Sequence, residues 1–301
     1  MIQKKLIGIT FSFLLILLTF MQGCTNKNEK NKEELVPLFN GKNPDGWDIK
    51  ITGHQLNDNY QNTFRVEDSM LRIAYDQYTS FDDKFGHLYY QTPFSYYRLR
   101  FQYRFTGNQT PGGADWNVRN SGVMIHSQSA KSVEMYQDFP VSLEVQLLGG
   151  LNKGERPTGN ICTPGTQVHI KGSLRPEHCI SSSSKTYNGD QWVNVTVEVF
   201  GDSLVRHIVE GDTVLTYEKP QIGGGFVGES HNWTKANITD STFWIKKNGT
   251  QLKEGFIALQ AESHPIDFRR IEILNLVGCM DNKAKNYKDY YIKSENNKCV
   301  Y

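Results

Sequence analysis

The sequence has almost no net charge, because 33 Lys and Arg residues stand against 32 Asp and Glu residues in a chain of 301. A formal charge of +1 creates no broad field, so binding to nucleic acid or to anionic lipid headgroups is disfavoured. The chain also lacks the low hydrophobicity of disordered proteins and the Leu, Ala, Glu and Lys bias of coiled coils. With 38% hydrophobic residues, 12% aromatic residues and 26 glycines, the composition indicates a folded, loop-rich and predominantly β-structured protein.

Long apolar runs are also missing, except at the N-terminus. Two lysines precede an apolar stretch over residues 6–20, which fits a signal peptide and falls short of the about 20 residues of a membrane-spanning helix. The following Met21-Gln22-Gly23-Cys24 resembles a bacterial lipobox, and an ordinary signal peptide with a chance cysteine is the alternative. We expect an exported bacterial lipoprotein in which residues 1–23 are removed, Cys24 is lipidated as a membrane anchor at the cell envelope, and residues 24–34 form a flexible tether.

Cysteines are scarce, and only four follow Cys24. Exported proteins commonly pair their cysteines, and four cysteines allow three connectivities. We favour the local pairs Cys162–Cys179 and Cys279–Cys299, because each closes a short polar loop and would stabilise the fold by about 3 kcal/mol. A thiolate metal site is the alternative, but no Cys-x-x-Cys spacing is present.

Helical periodicity is almost absent, whereas apolar and polar residues alternate along much of the chain. In residues 98–105, Leu, Phe and Tyr alternate with Arg and Gln, which indicates a strand with one buried face. The predicted strands cover residues 64–66, 70–75, 98–105, 122–126, 143–148, 193–199, 204–210, 213–217, 256–261 and 266–276. These strands predict an all-β jelly-roll sandwich of two antiparallel sheets, without helices longer than about three turns.

Three predicted strands carry polar side chains opposite an apolar face. Alternation in 143–148 sends the apolar residues inward and Glu144 outward, and Gly122 on another strand leaves room for a ligand beside the backbone. The residues predicted to share this polar face are Asn120, His126, Ser142, Glu144, Gln146, Gln260, Glu262 and, if its strand continues, His264. If the three strands are neighbours, these residues form a sugar site. The alternative for each of them is a solvated or satisfied structural residue.

Aromatic and basic residues offer further candidates. Trp116 lies in a Gly-rich loop and is the best candidate for stacking on a sugar ring, whereas Trp47 and Trp192 are expected in the core. Arg269 either binds substrate or pairs with a carboxylate. Arg269 lies two residues before Ile271, so simple alternation points both side chains inward. This direction favours the ion pair, unless a bulge turns the Arg269 side chain.

Six short motifs follow one another between residues 35 and 277. They are Leu38-Phe39-Asn40-Gly41-Lys42 with Gly46-Trp47, Asn120-Ser121-Gly122-Val123, Leu143-Glu144-Val145-Gln146, Trp192-Val193-Asn194-Val195, Gly255-Phe256-Ile257-Ala258-Leu259-Gln260 and Phe268-Arg269-Arg270-Ile271. In order and spacing, the chain resembles the 3-keto-disaccharide hydrolase family. The resemblance implies a concanavalin-A-like jelly roll and activity on glycosides oxidised at the sugar C3. The chain departs from the family pattern at Arg270, where Asn is usual, and in a polar insertion over residues 151–188.

The implied reaction begins at C2, because a ketone at C3 acidifies the C2 proton. A base removes this proton, the enolate expels the C1 substituent, and water adds back at C1, which differs from hydrolysis through an oxocarbenium ion. We expect Glu144 as the base and His126 as the acid or second base. Stabilisation of the enolate stays open between amides, an arginine and a divalent metal ion. The predicted substrate-binding residues are Asn120, Gln146, Gln260, Glu262, Arg269 and Trp116, and the candidate metal ligands are His264, Glu144, Glu262 and His126.

A non-catalytic glycan-binding module is the main alternative to an enzyme, since jelly-roll sandwiches often serve as lectins. The set of Glu144, His126 and Glu262 favours an enzyme, because amides and aromatic rings alone hold a neutral sugar. A structural surface lipoprotein is supported only by the anchor and the disulfides.

The tail over residues 278–301 resembles a small cysteine-bounded repeat at the ends of exported proteins of the Bacteroidetes type. It has too few apolar residues for its own core, so we expect the Cys279–Cys299 disulfide to close a compact appendage outside the domain of residues 35–277. Asp281, Asp289 and Glu295 are candidate Ca²⁺ ligands, but their spacing matches no EF-hand loop. A solvated acidic surface is the alternative.

Overall fold

The computed structural model describes residues 32–225 and 232–301. The predicted signal peptide, Cys24 and most of the predicted tether lie outside the described residues. The strands are β1 (Val36–Pro37), β2 (Trp47–Ile51), β3 (Phe64–Glu67), β4 (Met70–Ile73), β5 (Gly86–Tyr90), β6 (Tyr96–Phe105), β7 (Asn120–Ser127), β8 (Leu143–Leu148), β9 (Asn160–Cys162), β10 (Thr166–Ile170), β11 (Ser173–Leu174), β12 (Cys179–Ile180), β13 (Val193–Phe200), β14 (Leu204–Val209), β15 (Asp212–Ile222), β16 (Phe256–Ala261), β17 (Ile266–Asn275), β18 (Val277–Gly278) and β19 (Lys293–Ser294). The helices are α1 (Ser241–Ile245) and the 3-10 turns Tyr60–Asn62, Asp115–Asn117, Ala130–Ser132, Trp233–Ala236 and Asn296–Lys298.

Two large antiparallel sheets form a jelly-roll sandwich. The ten-stranded sheet has the order β11-β10-β15-β14-β13-β6-β17-β4-β3, with β1 also paired to β17. The seven-stranded sheet has the order β12-β9-β8-β7-β16-β5-β2. The all-β sandwich predicted from the sequence is confirmed. In the part of the chain that the structure describes, no helix is both long enough and apolar enough to cross a membrane.

The core lies between the two sheets and follows directly from the alternation in the sequence. On β6 the residues at odd positions from Tyr97 to Phe105 are buried, and Val145 on β8 and Leu259 on β16 face them from the other sheet. Each fully buried aliphatic or aromatic side chain contributes about 1.5–3 kcal/mol. The same alternation leaves every second residue of the seven-stranded sheet on its outer face.

A β-bulge in β17 changes the expected direction of Arg269. The pairing of β17 with β6 shifts register between Arg269 and Glu272, and Arg270 has a φ of 52°. Asn adopts this left-handed conformation more readily than Arg, which gives a physical reason for the Asn usual in the family. Arg269 lies on the outer face of the ten-stranded sheet, where its Nε donates to Gln102 Oε1 at 2.7 Å and its guanidinium covers Trp192 at 3.9 Å.

This position corrects two expectations. Arg269 is on the opposite sheet from the polar face around Glu144, so the structure does not bring it to that face. Trp192 is only partly buried, and its ring contacts the guanidinium groups of Arg269 and Arg104. Trp47 is a core residue as predicted, and its indole donates to the Leu38 carbonyl at 2.9 Å.

Both local disulfides form. Cys162 and Cys179 join β9 to β12 inside the polar insertion and extend the seven-stranded sheet beyond β8. Cys279 and Cys299 close the tail, in which β18 pairs with β19 and Ile292 N donates to the Leu276 carbonyl at 2.9 Å.

We expect the appendage to be dispensable for the 3-keto-glycoside turnover that the family resemblance implies, because β17 is complete before the appendage begins. Truncation after Val277 removes β19 and the Cys279–Cys299 loop but no residue of either large sheet. We expect turnover within a few-fold of the intact protein, measured as aglycone release from a 3-keto-glucoside, and a retained β-type circular dichroism spectrum. Loss of activity from a truncated but folded protein would show that the appendage completes the site.

Candidate functional site

The outer face of the seven-stranded sheet begins with an apolar row. Tyr89, Ala258 and Met124 are neighbours across β5, β16 and β7, and they pack beneath Ala130 and Val133 of the following loop. This cluster shields the apolar row from solvent.

The next row of the same face is polar and crosses five strands. Backbone pairing connects Lys50 to His87, His87 to Gln260 and Gly122 to Gln146, and the pairing of Leu259 with Val123 puts Gln260 beside Gly122. We call these five residues, Lys50, His87, Gln260, Gly122 and Gln146, the polar row. Paired residues have Cα atoms about 5 Å apart, so a ligand the size of a sugar ring spans two or three of these positions.

Glu144 belongs to the apolar row by its backbone, since it pairs with Met124. Its side chain leans over Gly122 in the polar row, because a Cβ on Gly122 would lie only 2.6 Å from both Cγ and Oε1 of Glu144. The missing side chain of Gly122 was expected to make room for a ligand. It makes room for the Glu144 carboxyl group instead.

Glu262 lies two residues beyond Gln260, just after β16. Both carboxyl groups are buried, with 7% of Glu144 and 3% of Glu262 exposed, and Glu262 Oε2 has no hydrogen-bond partner among the described residues. Burial raises the pKa of Glu144. It also raises the pKa of Glu262 well above its usual value, and the charge of Glu144 adds to this effect. The two groups therefore act as a pair that resists carrying two negative charges.

Amide groups complete this part of the face. Gln260 is fully buried and neither its Nε2 nor its Oε1 has a partner among the described residues, and Asn120 Oδ1 is likewise unpaired. Gln146 is more engaged, since its Oε1 accepts from Asn160 Nδ2 at 3.0 Å. Unpaired buried amides are costly in isolation, and they are typical of a site that binds hydroxyl or carbonyl oxygens.

His126 does not share this face. Phe256 pairs with Ser127 and Ala258 with Met124, so two residues of β7 oppose one residue of β16. His126 occupies this bulge with a φ of 48°. Its Nε2 lies 3.1 Å from the carbonyl oxygen of Gly201, in the turn between β13 and β14 of the other sheet. Burial lowers the pKa of His126 to about 4. The expected position beside Glu144 is wrong, because simple alternation does not continue through a bulge.

His264 packs beside a core aromatic residue of the ten-stranded sheet. Its ring packs edge-on against Phe105 at 5.6 Å, and burial together with the charges of Arg119 and Arg156 lowers its pKa to about 4. Within residues 32–225 and 232–301, no group of three or more His, Cys, Asp or Glu side chains is arranged to hold a metal ion. The candidate ligand set of His264, Glu144, Glu262 and His126 is not brought together.

Trp116 lies at the edge of the site. It belongs to the 3-10 turn before β7, is 54% exposed, and stacks on Phe85 at 6.2 Å with an angle of 13° between the rings. Phe85 lies just before β5 and two residues from His87, so alternation puts both side chains on the same face. The exposed indole is therefore a flat surface near the polar row, of the kind on which sugar rings stack.

Two residues of the polar row, Lys50 and His87, are absent from the sequence-based predictions. Lys50 is buried, which lowers its pKa, and its Nζ donates to the His54 carbonyl at 2.6 Å. His87 is buried beside Phe139, with ring centroids 6.4 Å apart. The alternation of polar His87 with apolar Leu88 indicates that the two side chains lie on opposite faces of the sheet. Only the pairing of β5 with β16 shows that His87 lies on the same face as Gln260.

A family profile described as a 3-keto-alpha-glucoside-1,2-lyase-like domain matches residues 34–274. The chain belongs to this family, and the resemblance carried by the six motifs is confirmed. A comparison with curated proteins gave no match.

Solved structures with a similar fold include three carbohydrate-related or galectin-like proteins. One is a presumed glycosyl hydrolase from Parabacteroides distasonis, with 15% identity over 80% of this chain and 93% of that chain and a TM-score of 0.46. The second is a Bacillus subtilis protein of unknown function with a galectin-like fold, with 11% identity, coverages of 81% and 97%, and a TM-score of 0.45. The third is a carbohydrate binding module from Bacillus subtilis, with 9% identity, coverages of 76% and 96%, and a TM-score of 0.41.

The buried carboxyl group of Glu144 predicts a specific pH dependence of stability. Its pKa is raised from 4.5 to about 8, so its contribution to stability is fully present below pH 4.5 and is lost as the pH rises towards 8. Glu144→Gln stays neutral throughout and avoids this loss. We expect the Tm difference, variant minus wild type, to increase from about pH 5 to about pH 8. A difference that is constant over this range would contradict the raised pKa.

Gly122→Ala should displace the Glu144 side chain, because the added methyl group would overlap Cγ and Oε1 of Glu144 at 2.6 Å. Gly122 has no left-handed φ, so alanine is compatible with its backbone and the effect is one of space. We expect a folded variant. For the reaction that the family resemblance implies, with Glu144 as the expected base, kcat should be at least about tenfold lower, since a small misplacement of a catalytic group is costly. Unchanged kcat in the alanine variant would show that the position of Glu144 is unimportant.

Proposed function

We propose that the protein cleaves 3-keto-glycosides by removing the C2 proton, eliminating the C1 substituent and adding water to the product. The observation that carries this proposal is the pair of buried carboxyl groups, Glu144 and Glu262, on a face with unpaired amide groups. Membership of the 3-keto-alpha-glucoside-1,2-lyase-like family supports a substrate with a ketone at C3. Carbohydrate is the partner class that family and site have in common.

Glu144 acts as the base in this mechanism. Its carboxylate takes the C2 proton, and the electrons of the C2–H bond form a C2–C3 double bond while the C3 carbonyl becomes an enolate. When the enolate reverts to the ketone, a C1–C2 double bond forms and the bond from C1 to the leaving oxygen breaks. Protonated Glu262 supplies the proton that this oxygen needs.

The shared environment of the two carboxyl groups makes this division of roles workable. Burial raises the pKa of both carboxyl groups, and the charge of Glu144 raises the pKa of Glu262 further. As the pH approaches 8, Glu144 therefore ionises first and acts as the base, while Glu262 keeps its proton and acts as the acid. After elimination the proton has changed places. Glu262, now ionised, activates a water for attack on C1, and Glu144 returns its proton to C2, which regenerates the starting pair.

Substrate contacts follow from the surrounding residues. The amides of Gln260 and Asn120 have free hydrogen-bonding atoms towards hydroxyl groups, and Trp116 offers its exposed ring face to a sugar. Glu262 thus takes the acid role that the sequence analysis gave to His126, because His126 faces the other sheet.

The test is aglycone release from a chromogenic 3-keto-glucoside and from its unoxidised parent. We expect release only from the 3-keto compound, because the parent has no acidified C2 proton. Glu144→Gln should lower kcat by at least about 10³-fold, and Glu262→Gln by about 10²-fold or more, since each carboxamide keeps the shape but loses the proton transfer.

His126→Gln is the matched control, because it replaces a buried ionisable residue outside the site. A folded His126→Gln protein should retain turnover within a few-fold. Binding of both glucosides without release from either would identify a glycan-binding module instead of an enzyme. Near-normal turnover by folded Glu144→Gln would remove Glu144 as the base.

A further inference from the structure

His87 lies between Lys50 and Gln260 in the polar row and has a buried nitrogen without a partner among the described residues. It is 3% exposed, and its Nε2 forms no hydrogen bond with the described residues. Its backbone pairs with Lys50 on one side and with Gln260 on the other. A buried donor or acceptor left unpaired costs about 1–3 kcal/mol, so a ligand group that forms a hydrogen bond with it removes this cost.

The histidine is neutral in the folded protein, because burial lowers its pKa to about 3. A neutral imidazole can donate one hydrogen bond to an oxygen that gains negative charge, as preorganised donors do in oxyanion sites. It does so without placing a full positive charge beside the carboxyl pair. Such a charge would lower the pKa values of Glu144 and Glu262.

Gln260 lies between His87 and Gly122, and both atoms of its amide group are unpaired among the described residues. Its backbone is held by the Ser121 hydroxyl, which donates to the Gln260 carbonyl at 2.8 Å. The free amide is therefore carried by a fixed strand. It provides a second donor beside His87 on the same face.

The dimensions of the row match those of the reacting part of a keto sugar. Neighbouring strands are about 4.8 Å apart, so the Cα atoms of Gly122 and His87, two strands apart, are separated by about 10 Å. The Glu144 carboxyl group lies over Gly122 at one end of this span. The path from a base through C2 and the C3 oxygen to a hydrogen-bond donor is about 8 Å long. A sugar lying along the row can thus have C2 at Glu144 and its C3 oxygen towards His87.

We propose that His87 and Gln260 form the donor pair that binds the C3 oxygen and stabilises the enolate during proton removal. This inference rests on the proposed function. As Glu144 takes the C2 proton, the electron pair of the C3 carbonyl moves onto oxygen, which accepts hydrogen bonds from His87 Nε2–H and from the Gln260 amide. The hydrogen bonds strengthen as charge develops and weaken again when the ketone re-forms.

The experiment follows exchange of the C2 proton of a 3-keto-glucoside in heavy water by NMR, together with kcat and KM for aglycone release. His87→Leu removes the donor, and we expect both the exchange rate and kcat to fall by about 10²–10³-fold, with KM within a few-fold. His87→Gln restores a donor and should recover part of the loss in both rates. Glu144→Gln should abolish exchange and serves as the reference for complete loss.

His126→Gln is again the matched control for replacement of a buried histidine, and circular dichroism checks the fold of each variant. Wild-type exchange and kcat in folded His87→Leu would overturn the role of His87. If His87→Leu does not fold, Gln260→Met carries the test, and unchanged exchange in that folded variant would overturn the donor pair. Absence of both exchange and release in the wild type would overturn the proposed function together with this inference, whereas normal wild-type activity with unaffected variants overturns the inference alone.

Discussion

The burial of two carboxyl groups side by side is the constraint on which this site depends. Removing Glu144 and Glu262 from water disfavours their ionised forms, and the charge of Glu144 raises the pKa of Glu262 further. The sandwich offsets this cost with its large apolar core, from Leu99 on one sheet to Val145 on the other. Glu144 lies on β8 and Glu262 directly follows β16, so the strands that bury the core also hold the carboxyl pair in place.

Much of the site could be predicted from alternation along single strands. β8 and β16 are regular, so the outward directions of Glu144 and Gln260 follow from the apolar residues between them. Alternation fails at His126 and Arg269, because each lies at a bulge that shifts the register by one or more residues. A bulge is set by the partner strand as much as by the local sequence, and a single strand does not reveal it.

The position of His87 shows a second limit of prediction from the sequence. Its segment, Gly86–Tyr90, has the composition of an ordinary buried strand, and the alternation of His87 with Leu88 alone does not show which site His87 belongs to. The significance of His87 arises from its neighbours, since β5 lies between β2 and β16 and extends the polar row beyond Gln260. Strand order depends on residues that are far apart in the sequence, so it is known only once the fold is known. The family motifs include Gln260 but not His87.

The positions of the positive charges affect whether the two carboxyl groups can stay protonated. Among the described residues, no cation lowers the pKa of Glu144 or Glu262, whereas Arg119 and Arg156 act on His264. A guanidinium beside the pair would favour the ionised form of both carboxyl groups, and the proposed mechanism would then lack the acid for the leaving oxygen. Neutral donors such as amides and an uncharged imidazole bind a developing enolate without this effect. No cation among the described residues thus lowers the pKa of either carboxyl group. In the proposed mechanism, this is what allows two chemically identical side chains to take different roles.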